Sequence, residues 1–340
     1  MAGDDMRSIR ILFLLSLGLC WQTLALAQSP PRVFIVQSYN SEYIWTQNIN
    51  RGIQESLRGL KVATETFYMD AQRDPDPEHL RAKAANILAQ IEAQKPQVVI
   101  AGDDAAQIYL TAPHLKGRAT PQVIFCGVNA PLKNYGFPAD NVSGVRERWH
   151  FREGFALLKK IHPSTRSVVL LTDDSESAGY VLADLYADQK QNGRFALRLI
   201  KVERARTFQQ WRRLVQHYKT RADSLALGQY HSLLDENTGK VVPASEVSAW
   251  TNAATRLPTI GFADYAREHG QLCGILESGE EQGYLAGHMA RQVLETGASA
   301  GKLPVRINQK GIVLLNLKTA ERLGIAIPFE FIRAAGIVIK

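Results

Sequence analysis

The chain has 340 residues, of which 45% are hydrophobic, and its 40 basic and 33 acidic side chains give a formal net charge of +7. Lys and Arg are scattered and form no run with interleaved aromatic residues, so the charge pattern argues against nucleic acid as a partner. The length exceeds what one hydrophobic core usually serves, and two domains are expected.

The N-terminus has the pattern of a secretory signal peptide. Arg7 and Arg10 precede the apolar run 11–19, and small residues two apart end at Ala27. This order of a positive segment, a short apolar segment and an A-x-A site predicts a signal peptide over residues 1–27. The rest of the sequence has no apolar stretch of about 20 residues, the length that spans a bilayer. The mature protein is therefore expected to be soluble and exported to the periplasm.

Two cysteines, Cys126 and Cys273, follow the predicted signal peptide. An oxidising compartment permits a disulfide between them. Both lie inside apolar runs, VIFCGV and LCGIL, where a free cysteine packs as a small hydrophobic side chain. The sequence favours two free buried thiols and leaves the disulfide open.

In the first part of the chain, short strand-like runs alternate with longer segments of helical period. This alternation predicts βαβ units and parallel sheets covered by helices on both faces. Asp76 is the expected N-cap of the second helix, with Pro77 at the first helical position. The predicted elements are strands 33–36, 62–68, 98–101 and 123–128 and helices 45–57, 77–94 and 105–111.

The pattern changes after residue 128. The segment 129–144 contains prolines, glycines and asparagines without any periodicity, which is typical of a linker. A second α/β series follows, and 297–304 is another linker-like segment. The predicted elements of this series are helices 151–161, 178–191, 208–218, 244–254, 281–295 and 317–323 and strands 167–171, 196–202, 222–227, 258–261, 274–276 and 312–315.

Two α/β units of similar length predict two Rossmann-like lobes, each a parallel sheet flanked by helices, with a ligand cleft between them. The N-terminal lobe is expected to comprise residues 28–128 plus about 279–302. The C-terminal lobe is expected to comprise 129–278 plus about 303–340.

The ends of the predicted strands carry the candidate binding residues. In open parallel sheets, ligands bind beyond the carboxyl ends of the strands. The helix N-termini there suit an anionic group, whereas the aspartates suit an ammonium group. Ser, Asp and Asn are also the usual N-cap residues, so each has a structural alternative. The candidates at these ends are Ser38, Asp103, Asp104, Ala105, Asn129, Asp173, Ser175 and Asp264.

Aromatic residues accompany these polar groups. Tyr39 and Tyr43 follow the first strand, and Tyr230 follows a different strand. Together they predict an aromatic clamp for a flat or apolar ligand. Trp45, further into the first helix, is expected in the core.

Catalytic and metal motifs are absent from the sequence. It has no G-x-S-x-G elbow, no P-loop and no H-E-x-x-H, and no histidine pair at helical i, i+4 spacing. No enzymatic activity, cofactor or metal is therefore expected. One alternative stays open, an exported α/β hydrolase in which Ser38 or Ser175 is the nucleophile and His231 the base.

The segment IVLLNLKTAERLGIAIP (312–328) resembles the closing N-L-K-x-A-x-x-L-G-I-x-I-P segment of the ABC transporter substrate-binding family, whose better-known members bind tryptophan or other aromatic amino acids. KPQVVIAGDDAAQIYL, VIFCGVNAP and EEQGYLAGHMARQVLETGASAGKLPV resemble further segments of that family. The resemblance implies a type I periplasmic-binding-protein fold and a monomer that captures a small solute by hinge closure and delivers it to an ABC permease. The matching positions of the site are Ser38, Tyr39, Asp104, Ala105, Asn129, Ser175 and Asp264.

The sequence departs from the family at 172–177, where TDDSES is more acidic than the small hydroxyl loops usual there. A ligand carboxylate would face Asp173, Asp174 and Glu176 there, so either a simple amino-acid ligand is disfavoured or these acids point outward. The opening VFIVQSYNSEYIW resembles a subgroup that includes binding modules of signalling histidine kinases. A periplasmic ligand-sensing module that signals to a membrane histidine kinase is therefore the alternative to a transport function.

Overall fold

The computed structural model describes residues 30–340. The predicted signal peptide, residues 1–27, lies outside these residues. Two sheets, each with helices packed on both faces, make up the described chain, and this confirms the predicted α/β class. No helix of the described part is long and apolar enough to cross a membrane.

The first sheet has six strands in the order β11-β5-β4-β3-β1-β2 within residues 30–340, and all its neighbours are parallel. Its central strands are apolar along their whole length because helices cover both faces. The strands are β1 (Arg32–Gln37), β2 (Ala63–Tyr68), β3 (Val98–Gly102), β4 (Gln122–Val128), β5 (Val142–Arg146) and β11 (Arg306–Ile307).

The second sheet has seven strands in the order β13-β12-β10-β9-β8-β6-β7 in the same part of the chain. The β10–β12 pair is antiparallel, and the other pairs are parallel. The strands are β6 (Ser167–Asp173), β7 (Arg198–Ala205), β8 (Leu225–Leu227), β9 (Thr259–Gly261), β10 (Cys273–Leu276), β12 (Ile312–Asn316) and β13 (Ile337–Ile339).

The helices cover these sheets, and several of them begin at a capping side chain. Asp76 accepts hydrogen bonds from the backbone N–H groups of Glu78 and His79, which confirms the predicted N-cap. The helices are α1 (Ile44–Leu57), α2 (Pro77–Gln94), α3 (Asp103–Ala106), α4 (Phe151–Ile161), α5 (Glu176–Asn192), α6 (Phe208–Tyr218), α7 (Ala244–Ala254), α8 (Gly279–Thr296), α9 (Leu317–Leu323) and α10 (Phe329–Ala334). Helix α3 continues as a π-helical segment, Gln107–Leu115.

Strands β5 and β11 are hydrogen-bonded in the first sheet, although the sequence prediction assigned both to the second lobe. The short β5 was hidden in a stretch that reads as a linker. Its Gly144 lies so close to β4 that an added Cβ would sit 2.1 Å from the carbonyl oxygen of Phe125. This glycine weakens the strand signal in the sequence and at the same time lets β5 pair with β4.

Helices α1 and α8 pack against each other at very short range on the first sheet. An added Cβ on Gly52 would lie 2.0 Å from the carbonyl oxygen of Glu280, and one on Gly283 would lie 2.0 Å from that of Ile49. The two glycines therefore allow backbone contact, and the apolar side chains around them join the core of this layer.

The chain passes between the two sheets at three places within the described residues. These connections follow β5, β10 and β11, and they lead to α4, α8 and β12 respectively. Glu147 comes directly after β5, and Glu277 comes directly after β10. The carboxyl ends of strands from both sheets and two of the three connections thus meet in the same region.

The two cysteines of the described chain, Cys126 and Cys273, are free and buried. Each lies in a central strand of a different sheet, so the favoured prediction of free thiols is confirmed.

Candidate ligand-binding site

Residues from both sheets converge around the ring of Tyr43. Tyr39 and Tyr43 contact each other edge to face, with ring centroids 5.4 Å apart and an interplanar angle of 89°. Both rings are half-buried. Burial raises the pKa of the Tyr43 phenol, and the negative charges of Asp103 and Asp264, which lie in different lobes, raise it further.

Asp103 is the first residue after β3, and its backbone has a positive φ of 63°. The indole N–H of Trp45 donates a 2.7 Å hydrogen bond to Asp103 Oδ1. Asp103 Oδ2 has no hydrogen-bond partner among residues 30–340, although the side chain is only 3% exposed. Burial raises the pKa of this carboxyl well above its usual range. A Cβ on Gly127 would lie 2.6 Å from Asp103 Oδ1, so the neighbouring strand must have glycine there.

Trp45 is buried, as predicted, and it packs in the core of the first layer. The sequence prediction missed its second role. Because its N–H holds the Asp103 carboxylate, the tryptophan orients a polar group of the site from within the core.

Asp104 braces the loop after β4. It accepts hydrogen bonds from the Tyr135 hydroxyl at 2.8 Å and from the backbone N–H groups of Asn129 and Ala130 at 3.2 Å each. Ala105 lies next to it, half-buried in the first turn of α3. The side-chain amide of Asn129 points away from Asp104 and donates to Glu147 Oε2 at 3.0 Å.

Glu147 and Glu277 form a carboxyl pair that the sequence prediction missed. They are 6% and 2% exposed, and their side chains are hydrogen-bonded to each other. Burial raises the pKa of Glu147 to about 7 and that of Glu277 well above its usual range. Two adjacent carboxyls in a dry place share a proton because both cannot ionise together at low cost. Glu147 Oε1 also accepts from the indole N–H of Trp149, at 3.3 Å.

Asp264 provides the carboxyl of the second sheet. It begins a 3-10 turn after β9, and the side-chain amide of Asn48 in α1 donates to its Oδ2 at 3.2 Å. Asp264 Oδ1 has no partner within the described chain, and the residue is 7% exposed. Burial raises the pKa of this carboxyl, although the nearby charge of Arg267 acts in the opposite direction. The Asn48 contact joins the two lobes directly.

Tyr230, which the sequence proposed as the second face of an aromatic clamp, is fully buried. Its hydroxyl is hydrogen-bonded to His269 Nδ1 at 2.8 Å and accepts from Gln271 Nε2 at 3.0 Å. Its ring packs on Trp211, so it supports the site from behind. The half-buried Tyr265 lies in front of it, at 5.3 Å between ring centroids, and the sequence prediction did not identify this residue.

Ser38 serves the local fold. Its buried hydroxyl donates to the Gly102 carbonyl oxygen at 2.6 Å and accepts from the backbone N–H of Ala106 at 2.8 Å. The hydroxyl therefore ties the end of β1 to the end of β3 and to the first turn of α3.

Asp173 and Ser175 similarly hold the loop after β6. Asp173 is buried and accepts from the hydroxyl of Ser175 at 2.6 Å and from the backbone N–H of Ser232 at 3.1 Å. Ser175 caps α5 by accepting from the backbone N–H of Ala178 at 3.1 Å. In the described chain, neither Ser175 nor Ser38 is hydrogen-bonded to His231, the pairing that the hydrolase alternative requires.

The other acids of the TDDSES segment point outward. Asp174 is exposed and pairs with Arg204 at 2.9 Å, and the exposed Glu176 accepts a hydrogen bond from the Tyr180 hydroxyl. The outward reading therefore holds for Asp174 and Glu176 and is wrong for Asp173, which is buried. No group of three or more His, Cys, Asp or Glu residues among the described residues has the arrangement to hold a metal ion.

Comparison with known proteins gives one matching family and a set of similar folds. The profile of the family described as ABC transporter substrate binding protein matches residues 45–339. No curated protein sequence is similar enough to count as a match.

Three solved structures illustrate the similarity of fold. A Streptococcus pneumonia ABC domain in complex with L-Trp has a TM-score of 0.65 and 20% identity over 92% of this chain and 100% of its own. The ligand-free, open substrate-binding protein CD0873 from Clostridium difficile, which has adhesive properties, has a TM-score of 0.68 and 17% identity over 91% and 99%. A periplasmic ribose ABC transporter structure from Conexibacter woesei has a TM-score of 0.55 and 15% identity over 89% and 98%.

Proposed function

The chain belongs to the ABC transporter substrate-binding protein family, and on this premise we propose that it captures a small solute between its lobes by hinge closure and delivers it to an ABC importer. Its fold is that of the type I periplasmic binding proteins, with two sheets of mostly parallel strands flanked by helices. Binding, rather than turnover, is the role that this family supports.

The observation that carries the proposal is the convergence of polar groups from both sheets on one cleft. Asp103 reaches it from the first sheet, Asp264 from the second, and Glu147 and Glu277 from the connections between them. A solute bound where both lobes and two connections meet contacts every moving part at once, so it stabilises the closed state more than a solute bound to one lobe.

Closure is proposed to occur by rotation about the connections between the sheets. The segments in which backbone angles are expected to change are 129–144, 277–279 and 301–304. The structure has contacts between the lobes that an opening rotation would break. Asn48 donates to Asp264, and Tyr180 of α5 packs against the apolar cluster of the first lobe.

The solute is proposed to have a flat or apolar body, a class that includes aromatic amino acids. Tyr39, Tyr43 and Tyr265 place half-buried rings around the cleft, and such rings bind flat groups with little loss of conformational entropy. The site is proposed to function in the periplasm, after removal of residues 1–27, and in a monomer.

Native mass spectrometry of the freshly purified mature protein is the experiment that tests this proposal. We expect a retained small molecule whose removal lowers the melting temperature and whose return restores it, since a ligand of the native state stabilises by mass action. Small-angle scattering should show a more compact particle with the solute. A broad metabolite screen without any melting shift, together with an empty native mass spectrum, would contradict solute binding.

The partner is tested separately from the ligand. A permease with its ATPase should respond to the loaded protein with faster ATP hydrolysis than to the empty protein. If the loaded protein instead changes the autophosphorylation of a membrane histidine kinase and leaves the importer unaffected, the sensing alternative replaces the transport proposal.

A further inference from the structure

We propose that the cleft selects an organic cation, an amine or a guanidine-like group on a flat or apolar body, and discriminates against solutes that carry a carboxylate. This inference rests on the proposed solute-binding function and adds the charge of the solute. It is carried by three buried carboxyl oxygens that converge from different parts of the fold.

These oxygens are Asp103 Oδ2 and Asp264 Oδ1, which have no hydrogen-bond partner within residues 30–340, and Glu277 Oε1, whose carboxyl is paired only with that of Glu147. Their side chains are between 2% and 7% exposed. An ionised carboxylate in such a place is costly unless a donor or a cation is bound to it. Trp45 and Asn48 of α1 donate hydrogen bonds to Asp103 and Asp264. An added Cβ on Gly279, two residues after Glu277, would lie 3.0 Å from the Trp45 carbonyl oxygen. The three carboxyls therefore lie around the first turns of α1.

Basic side chains of the described chain do not supply the missing charge to all three. Arg146, at the first connection, is committed to Asp184, with 2.7 Å from its Nη2 to each carboxylate oxygen. Arg148, two residues further, pairs with Glu153 at 2.9 Å. Arg267 lies near Asp264, where its charge opposes the effect of burial, and its Nε has no partner within the described residues. The cleft therefore has a surplus of acids that a bound cation would neutralise.

The usual donors for a solute carboxylate, the N–H groups of a helix N-terminus and nearby hydroxyls, are also occupied. Asp103 and Asp104 lie in the first turn of α3 and place carboxyl groups of the protein itself at the N-terminus of this helix. At the N-terminus of α5 the Ser175 hydroxyl already accepts a backbone N–H, and Asp173 lies behind it. A carboxylate-bearing solute would meet carboxyl oxygens instead of free donors at both places, which is an arrangement that proteins use to reject a wrong partner.

The rings favour an organic cation over a metal ion. Tyr39 and Tyr43 are perpendicular, and Tyr265 lies on the other lobe, so a cationic group on an apolar body can contact ring faces and carboxylates together. Since no group of three ligating side chains in the described chain can hold a metal, the carboxyls suit a larger cation with donors spread over several directions.

Matched probe series test the charge preference. Tryptamine, L-tryptophan and indole-3-propionate share an indole body, and pentylamine, norleucine and hexanoate share an alkyl body, so each series keeps the apolar body and changes the charged groups. Titration calorimetry on protein freed of retained solute should show the amine binding tightest in any series that binds. Tighter binding of the amino acid or of the acid overturns the proposal.

If neither series binds, the charge of the solute that native mass spectrometry finds on the protein tests the preference for a cation. A net positive solute supports the proposal, and a neutral, zwitterionic or anionic one overturns it. Absence of any retained or added ligand would instead contradict the proposed solute-binding function, so the two failures are distinguishable.

Variants identify the groups that set the preference. Asp103→Asn and Asp264→Asn should each weaken the best-bound cation about thirtyfold or more, as expected for removal of one partner of a buried charge pair. The control is Asp174→Asn, which removes an exposed acid from a neighbouring strand end and should change the affinity less than about twofold. The decisive readout is the ratio of amine to carboxylate affinity, because mere loosening of the fold lowers both. An unchanged ratio in both site variants overturns the assignment.

Discussion

Replacement of Glu147 by glutamine is the sharpest test of the paired carboxyls at the connections between the lobes. In the wild type, Glu147 and Glu277 are buried against each other and hold a shared proton. Glutamine keeps the size and the hydrogen-bonding capacity of the side chain but cannot titrate. The variant should therefore lose a pH dependence of folding stability that the wild type has.

The magnitude follows from the shift of one carboxyl. The pKa of Glu147 rises from 4.5 to about 7 on folding because of burial. At about 1.36 kcal/mol per pKa unit, this corresponds to about 3 kcal/mol of unfolding free energy. This free energy belongs to the Glu147–Glu277 pair and not to Glu147 alone, because removal of one carboxyl also changes the titration of the other.

The sign is set by which state binds the proton more tightly. The folded state binds the Glu147 proton more tightly than the unfolded state. The contribution of this carboxyl to folding stability is therefore complete below pH 4.5 and is lost as the pH rises through about 7. Buried histidines act in the opposite direction. Burial lowers the pKa of His150 and His269, so their contribution is lost as the pH falls. The comparison between wild type and variant cancels this background.

The assay is urea unfolding followed by tryptophan fluorescence, at intervals from pH 4.5 to 8, on protein refolded from denaturant to remove solute. The difference in unfolding free energy between the wild type and Glu147→Gln should change by about 3 kcal/mol across this range. Glu153→Gln is the control, because Glu153 is an exposed glutamate six residues away that pairs with Arg148. A Glu147→Gln difference that stays constant within about 0.5 kcal/mol, close to the error of extrapolation, would refute the reasoning.

Three further predictions concern packing and local structure. Gly283→Ala should lower the unfolding free energy by at least about 2 kcal/mol, because the new methyl group would overlap a backbone carbonyl of α1. The control Gly179→Ala, in the open part of α5, should be neutral or stabilising by up to about 1 kcal/mol, and equal urea midpoints for the two variants would contradict the close packing of α1 on α8. Ser38→Ala should lower the unfolding free energy by about 1–3 kcal/mol, because the first-turn N–H of α3 loses its buried acceptor; unchanged stability with weaker solute binding would identify Ser38 as a ligand contact instead. Cys126 and Cys273 should resist iodoacetamide in the native protein, because burial raises the pKa of both thiols. Both should react fully in urea without reductant because they are free, and a requirement for reductant would show a disulfide.

Most helices and strands were predictable because their signals are local. The helices over Pro77–Gln94, Phe151–Ile161 and Phe208–Tyr218 begin and end at the predicted residues. Apolar periodicity and capping side chains act within a few residues of each other, so they can be read directly from the chain. The missed strands β5, β11 and β13 are short, and the signal of β5 is also weakened by the glycine that its neighbour requires.

The candidate site was only partly predictable. The strand ends that form it were identified, and Tyr39, Tyr43, Asp103 and Asp264 lie there together. The same pattern also selected Ser38, Asp173 and Ser175, whose polar groups are used to hold the loops. A polar residue at a strand end looks the same in sequence whether it caps a helix or faces a ligand, since both roles need the same side-chain atoms.

The sequence by itself determined the α/β class, most of the helices and strands and the family, because these depend on patterns along the chain. The tertiary structure alone decided which acids meet. Glu147 and Glu277 are 130 positions apart and follow strands of different sheets, and each is an unremarkable single glutamate in its own segment. Only the crossing of the chain between the lobes brings them into one dry place, where burial binds a proton between them. The charge of the cleft, and with it the proposed preference for a cation, is therefore a property of the fold.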